Sequence, residues 1–517
     1  MLFFFTFAPP VFGMMPFQRF CAILKNMKKQ NVIKPKRTLA LILLAALFLT
    51  GLYHRYKPLP ENLAFRSPAL DMDAGGIDFL YDVSYRDGQG RLIREQEIFD
   101  RVLQRIREAR RYILLDMFLF NSWTGRAAAP YRRLSSELTE ALITQKKAYP
   151  RLKIDFITDP INTVYGVARA PELERLGRAG VNIIVTDLAP LRDSNPLYSA
   201  FWRLGPEWLG HLLSRPRWLK HPFSATGQKV GPAGYLALLN FKANHRKVFL
   251  ADGQTGYTCL ILSANPHDAS SAHSNVAVEI DGSELGRAIY TSEAAVAALS
   301  GSALQAMDKL DTGSRTTAGS TARVRLITEG AVKDALLAAM DASGPGQKIR
   351  LALFYLSDRD IIKALLAAHA RGASVSIILD PNKDAFGYTK NGIPNRPVAG
   401  ELIDRSGGGI RIRWYATSGE QFHPKLTLVE TKERLYMITG SANLTRRNLS
   451  NFNLESDVLI TVDRDAGVAR EALAYFDRLW TNRDDHVYTL DYQAFADDSR
   501  VKYLVYRLQE KLGLSSF

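Results

Sequence analysis

The chain has 517 residues, too many for a typical single domain, and its 46% hydrophobic and 23% charged content is that of an ordinary globular protein. Its net charge of +15 looks like a nucleic-acid signal until it is located: residues 1–57 hold nine Lys or Arg and no Asp or Glu, which leaves +6 on the other 460 residues. That mildly basic body suits anionic lipid or nucleic acid and is diagnostic of neither, while only two cysteines, Cys21 and Cys259, exclude a disulfide framework and a cysteine-rich metal site.

Residues 1–37 form a basic N-terminal segment whose first apolar stretch is broken by Pro9, Pro10 and Pro16, and Met27 opens a more conventional basic start. Residues 38–53, TLALILLAALFLTGLY, are uncharged and match a short transmembrane anchor or a signal segment. No small-x-small cleavage site follows, which favours the anchor. Basic residues are denser before the segment than after it, so the positive-inside rule puts the N-terminus in the cytoplasm and the body outside. In a bacterium this is a single-pass inner-membrane protein with a periplasmic body.

From Glu61 the chain alternates β-like and helical stretches, the pattern of an α/β fold, and its halves resemble each other. The first, residues 61–310, contains strand-like runs at Arg111–Phe120 and Lys153–Thr158, the latter leading into DPINTVYG (159–166). The second, residues 323–500, repeats the pair at Lys348–Tyr355 and Ala373–Leu379, leading into DPNKDAFG (380–387). A Gly/Ser/Thr-rich linker at 311–322 separates them, and 501–517 reads as a C-terminal tail. The first half carries an insertion near 188–240, where Phe201, Trp202, Trp208, Trp218 and Phe223 stand among Arg and Lys residues. That mixture suits a membrane interface, and equally a lid or satellite packing cluster.

Each half holds a His-x-Lys on an apolar strand-like run: His245, Lys247 and Asp252 in NHRKVFLAD, and His423, Lys425 and Glu430 in FHPKLTLVE. Residues two apart on a strand share a face, so each pair can address one phosphate. Ser263 and Asn265 follow the first His, Asn265 at 20 positions; Ser441 and Asn443 follow the second at the same spacing. An acidic residue then appears at Glu279 and at Glu455. A lone His is usually structural, and repetition at matched spacing reverses that reading. A Lys beside each His repels a metal and attracts an anion.

These residues resemble the paired HxKxxxxD motifs of the phospholipase D superfamily, with Glu430 in place of the usual Asp and Leu262 in place of the usual Gly before Ser263. The resemblance implies two similar phospholipase D-type α/β/α sandwich domains with mixed sheets, related by a pseudo-two-fold, after the N-terminal anchor. It implies that His245 forms a phosphohistidine and that His423 acts as general acid and then as base; the residues alone leave the reverse assignment open. Lys247, Lys425, Asn265 and Asn443 supply donors to the phosphate, and Ser263 and Ser441 line or brace the site. Asp252 and Glu430, or Glu279 and Glu455, are the candidates to orient the imidazoles. No cofactor or divalent metal is required by this scheme. The expected substrate is a membrane phospholipid with water or an alcohol as acceptor, as in cardiolipin synthase-like transfer. A nuclease tracking nucleic acid with Arg411, Arg413, Arg446 and Arg447 is the rival enzyme, and a non-catalytic phosphate-binding scaffold the rival of another class.

Overall fold

The computed structural model describes residues 35–126, 131–215, 217–253, 256–308 and 321–514. The apolar stretch before Met27 and the alternative start at Met27 lie outside the described residues. The chain divides into a unit ending at Thr50 and a body from Gly51. Helix α1, Pro35–Tyr56, contains the whole 38–53 segment, and its 22 residues are long and apolar enough to cross a membrane.

The body holds two large mixed sheets. The first is ordered β3-β2-β9-β8-β7-β4-β5-β6, made of β2 (Ile77–Arg86), β3 (Leu92–Glu95), β4 (Tyr112–Met117), β5 (Lys153–Thr158), β6 (Asn182–Val185), β7 (Lys247–Asp252), β8 (Tyr257–Leu262) and β9 (Asn275–Asp281). The second is ordered β1-β10-β18-β17-β16-β11-β12-β15-β19. Its strands are β1 (Leu70–Asp73), β10 (Thr321–Thr328), β11 (Lys348–Leu353), β12 (Ser374–Leu379), β15 (Arg411–Tyr415), β16 (Lys425–Glu430), β17 (Arg434–Gly440), β18 (Ser456–Asp463) and β19 (Thr489–Asp491), and a small ribbon joins β13 (Asp384–Ala385) to β14 (Tyr388–Thr389). Seven strands therefore recur in one order, β2-β9-β8-β7-β4-β5-β6 matching β10-β18-β17-β16-β11-β12-β15. In each sheet three strands run parallel and the rest pair antiparallel.

Strands β4, β7, β8 and β16 are buried at every position, which their near-continuous apolar sequences require when both faces of a sheet are covered. The outer face of the first sheet packs on helices such as Ile98–Glu108, which buries Ile98, Val102 and Ile106 on one stripe. The inner faces of both sheets share one core, in which Leu250, Ile261 and Val278 join Leu428, Met437 and Ile460 together with the helices Ser283–Leu299 and Gly467–Trp480. The two sandwiches are thus not independent; each lends its inner surface to the other.

Chain order and sheet membership differ at the edges. Leu70–Asp73, within the first half by sequence, pairs with β10 of the second sheet. Of the linker expected at 311–322, residues up to 320 lie outside the described residues, and Thr321 and Ala322 already belong to β10. The segment read as a tail forms a helix over Arg500–Leu512 that buries Tyr506 and Glu510.

Candidate active site

His245 and His423 each stand two residues before the first residue of a central strand, Lys247 of β7 and Lys425 of β16. Both lysines lie flat along the strand entry and donate Nζ–H to the carbonyl of their own histidine at 2.6 Å. Each pair is roofed by a phenylalanine that leaves the neighbouring strand: Phe118 packs 4.7 Å from the His245 ring and 5.1 Å from Lys247 Nζ, and Phe354 packs 4.8 Å from His423 and 5.3 Å from Lys425 Nζ.

The halves meet at the histidine-bearing segments. His245 N–H donates to the Leu454 carbonyl of the second half at 2.9 Å, and His423 N–H donates to the Ser274 carbonyl of the first at 2.8 Å. The repeated Asp-Pro turns brace this crossing. Asp159 Oδ2 accepts the N–H of Asn244 at 2.7 Å and Asp380 Oδ2 that of Phe422 at 2.8 Å, so each carboxylate holds the residue just before a histidine.

The imidazole partners follow from this meeting of the halves. His245 Nδ1 lies 2.9 Å from Glu455 Oε2, which also accepts the Ser441 hydroxyl at 2.6 Å, while Asn448 Nδ2 donates to Oε1. His423 Nδ1 lies 3.2 Å from Asn275 Oδ1, which also accepts the Ser263 hydroxyl at 3.1 Å. Asn275 is therefore the counterpart of Glu455, since Val276 N–H donates to Ser263 Oγ as Ser456 N–H donates to Ser441 Oγ. The loop after Asn265 is two residues shorter than the loop after Asn443, which displaces the match that Glu279 offers in sequence.

Three of the expected carboxylates lie elsewhere. Glu279 is engaged by Arg101 and Arg105 at 2.6 and 2.7 Å. Asp252, at the far end of β7, caps the N–H groups of Arg110, Arg111 and Tyr112. Glu430, at the far end of β16, sits among Lys348, Arg350 and Arg464. A residue five positions along an extended strand from a lysine is about 16 Å away, beyond any side-chain reach to the imidazole. Ser263 and Ser441 brace the imidazole partners as described. Asn265 accepts Leu119 N–H at 3.3 Å, and Asn443 occupies the matching turn, with its neighbour Thr445 bonded as His267 is.

His273 was not singled out by sequence. Its ring centroid lies 6.0 Å from that of His423, and its Nδ1 accepts Gln421 N–H at 3.2 Å, so the neutral ring carries its proton on Nε2. Asn453 does the same for Ala243 in the other half. At Gly440, the counterpart of Leu262, a Cβ would come 2.4 Å from the Ser456 carbonyl and 2.7 Å from the carboxyl carbon of Asp457, which caps Ser441 and Ala442 N–H; the first half has Ala277 in place of Asp457.

The site is buried and lined by basic side chains. Burial, followed by Lys247, Lys425 and Arg447, holds His245 well below its ordinary value. Burial, followed by Lys425 and His273, does the same to His423. Burial lowers Lys247 to about 7 against the pull of Glu455, pushes Lys425 well below the ordinary ammonium range, and raises Glu455 to about 7. A bound anion would reverse the shifts of the two histidines and two lysines, because it favours the positive charge that burial disfavours. Among the described residues no group of three or more His, Cys, Asp or Glu is placed to hold a metal.

Residues 336–480 match the family described as cardiolipin synthase, PLD-like domain. No curated protein matches the chain. Among solved structures, phosphatidylserine synthase of Haemophilus influenzae is similar at 12% identity and a TM-score of 0.53, over 93% of this chain and 97% of that one, which is a likeness of fold. The phospholipase D family member Nuc of Salmonella typhimurium aligns at 22% identity and a TM-score of 0.25, over 33% of this chain and 97% of that one.

Proposed function

We propose that this chain, a phospholipase D superfamily protein, is a phosphodiesterase or phosphatidyltransferase of membrane phospholipids that works through a phosphohistidine. The observation that carries the assignment of roles is the unequal pairing of the two imidazoles: a carboxylate, Glu455, for His245 and a neutral amide, Asn275, for His423.

Glu455 accepts the Nδ1–H of His245 and leaves the Nε2 lone pair free to attack phosphorus. As the P–N bond forms, the imidazole becomes cationic, and the carboxylate stabilises that charge. Asn275 orients His423 without neutralising its imidazolium, which makes His423 the stronger acid of the two. It gives its Nε2 proton to the leaving oxygen as the P–O bond breaks. His423 then takes a proton from water or an alcohol, whose oxygen displaces Nε2 of His245 from phosphorus. Lys247, Lys425 and the side-chain amides of Asn265 and Asn443 hold the non-bridging oxygens. Helix α1 anchors the body at the periplasmic face of a bacterial inner membrane, where the substrate lies.

The test is to reconstitute the full chain in phosphatidylglycerol vesicles, beside a His423→Ala variant, and to identify products by mass spectrometry. Cardiolipin or phosphatidic acid formed by the parent and absent with the variant is expected, and tells which acceptor resolves the intermediate. Inert phospholipid together with His423-dependent cleavage of single-stranded DNA would overturn the lipid reading.

A further inference from the structure

Surface helices of a folded body turn their apolar stripe inward. Two helices here are inverted. In α4, Arg500–Leu512, the residues Val501, Leu504, Leu508 and Leu512 are 70, 60, 56 and 46% exposed. Their spacing puts them on one outward stripe, while Tyr506 and Glu510 on the opposite side are buried. Arg500, Arg507 and Lys511 run along one border of that stripe. In α2, Pro196–Leu204, Leu197 and Leu204 are 77 and 50% exposed with Phe201 between them at 52%, while Ser199 and Ala200 face inward. The turn into the short helix α3, Gly210–Ser214, exposes Trp208 at 79%, and α3 itself exposes Leu212 at 70%.

These segments, some 300 positions apart, meet. A Cβ on Gly513, at the end of α4, would lie 1.9 Å from the Ser194 carbonyl, so the two backbones are in direct contact just ahead of α2. Gly51 packs on the first turn of α2, where a Cβ would lie 3.0 Å from the Pro196 carbonyl, and Asp193 N–H donates to the His54 carbonyl at 3.0 Å. Leu52, Tyr53 and Tyr56 of the last turn of α1 are exposed at the same junction. The inward sides of α2 and α4 are occupied by the body, so the outward stripes are not misplaced core. Apolar stripes bordered by cations, with Tyr and Trp among them, are the chemistry of the headgroup level of an anionic bilayer. Exposed Arg215, Arg217 and Lys220 extend the cationic border beyond α3.

Behind the junction, Ser194, Arg446, Arg447, Phe452, Glu510 and Gly513 line a small pocket.

We infer that α2, α3, α4 and the last turn of α1 form a face that seats the body on the headgroup level of an anionic bilayer. The inference rests on the lipid reading of the site for its substrate and on the exposed stripes for its surface. The full chain, carrying Cys21→Ser and keeping the buried Cys259, receives one added cysteine at Leu504, at Leu212 or, as a control on another surface, at Arg470, each labelled with an environment-sensitive fluorophore. In phosphatidylglycerol vesicles the labels at 504 and 212 are expected to be quenched at least threefold by nitroxide-bearing lipid and the label at 470 to be unchanged. Leu504→Glu with Leu508→Glu is expected to lower turnover of vesicle phospholipid at least tenfold while leaving hydrolysis of bis(p-nitrophenyl) phosphate unchanged. Absence of lipid quenching at both positions overturns the proposal, as does shielding of both labels in detergent by a second copy. Quenching at both positions without turnover of either substrate supports the face and overturns the catalytic reading instead.

Discussion

The two half-sites share their scaffold and differ in their charge. In both, a histidine enters a central strand, a lysine folds onto its carbonyl, a phenylalanine covers the pair, and an aspartate from an Asp-Pro turn holds the preceding residue. Around His245 these fixtures stand on a buried ionic network. Arg246 bonds Glu329 at 2.7 Å and Glu293 at 3.0 Å, Asn244 donates to both oxygens of Asp116, and Glu329 accepts the N–H of Glu455. Around His423 the matching positions are Pro424, Phe422 and Ala352, and Phe422 stacks on Tyr415 with ring centroids 4.2 Å apart. The difference teaches that the repeat supplies one backbone geometry twice, while the supporting residues back His245 with a carboxylate and His423 with an amide.

The largest effects should separate the histidines themselves. His245→Ala and His423→Ala should each lower phospholipid turnover by about 10³-fold or more. With a p-nitrophenyl leaving group, which departs without a proton, His423→Ala should recover most of the rate of the first, p-nitrophenol-releasing step and, lacking the base of the second, accumulate phosphohistidine at residue 245, visible by phosphorus NMR under alkaline quench. Recovery by His245→Ala instead would reverse the assigned roles.

Exchanging the partners sharpens the same contrast. Glu455→Gln should lower kcat by about 10²-fold, because it removes the charge that supports the imidazolium, and Asn275→Ala should cost about tenfold or less. Equal losses in steady-state kinetics would mean that the inequality of the pairing carries no catalytic weight.

The foundations should differ in stability. Arg246→Met strands Glu293 and Glu329 as unpaired buried carboxylates, so chemical denaturation should show a loss of about 3–5 kcal/mol. Pro424→Ala, at the corresponding position, should cost less than about 1 kcal/mol.

The pH dependence follows from Lys247, whose depressed value of about 7 belongs to the empty site. Its cationic form is needed to bind the phosphate, so kcat/KM should fall as pH rises through about 7. A bound anion favours the ammonium, so the alkaline limb of kcat should lie at higher pH. Coincident limbs would place the controlling ionisation elsewhere. The smallest catalytic effects are expected at the two motif carboxylates outside the site: Asp252→Asn and Glu430→Gln should leave kcat within about threefold while lowering stability by about 1–3 kcal/mol.

Sequence by itself determined the duplication, the α/β class, the two His-Lys pairs and the Asp-Pro turns, because these depend on local periodicity and on spacing within one strand and its following loop. It also located the apolar helix, from an uncharged run of that length. Only the tertiary structure decided which group holds each imidazole, because the partners cross from one half to the other and the intervening loops differ in length by two residues. Glu279 matched Glu455 as a residue type, yet strand register brings Asn275 to that position and turns Glu279 towards Arg101 and Arg105. The motif carboxylates Asp252 and Glu430 share a strand with their lysines and are separated from them by its extension. The inverted stripe of α4 is written in its periodicity, but which side faces water was settled only by packing, through Tyr506 and Glu510 against the body.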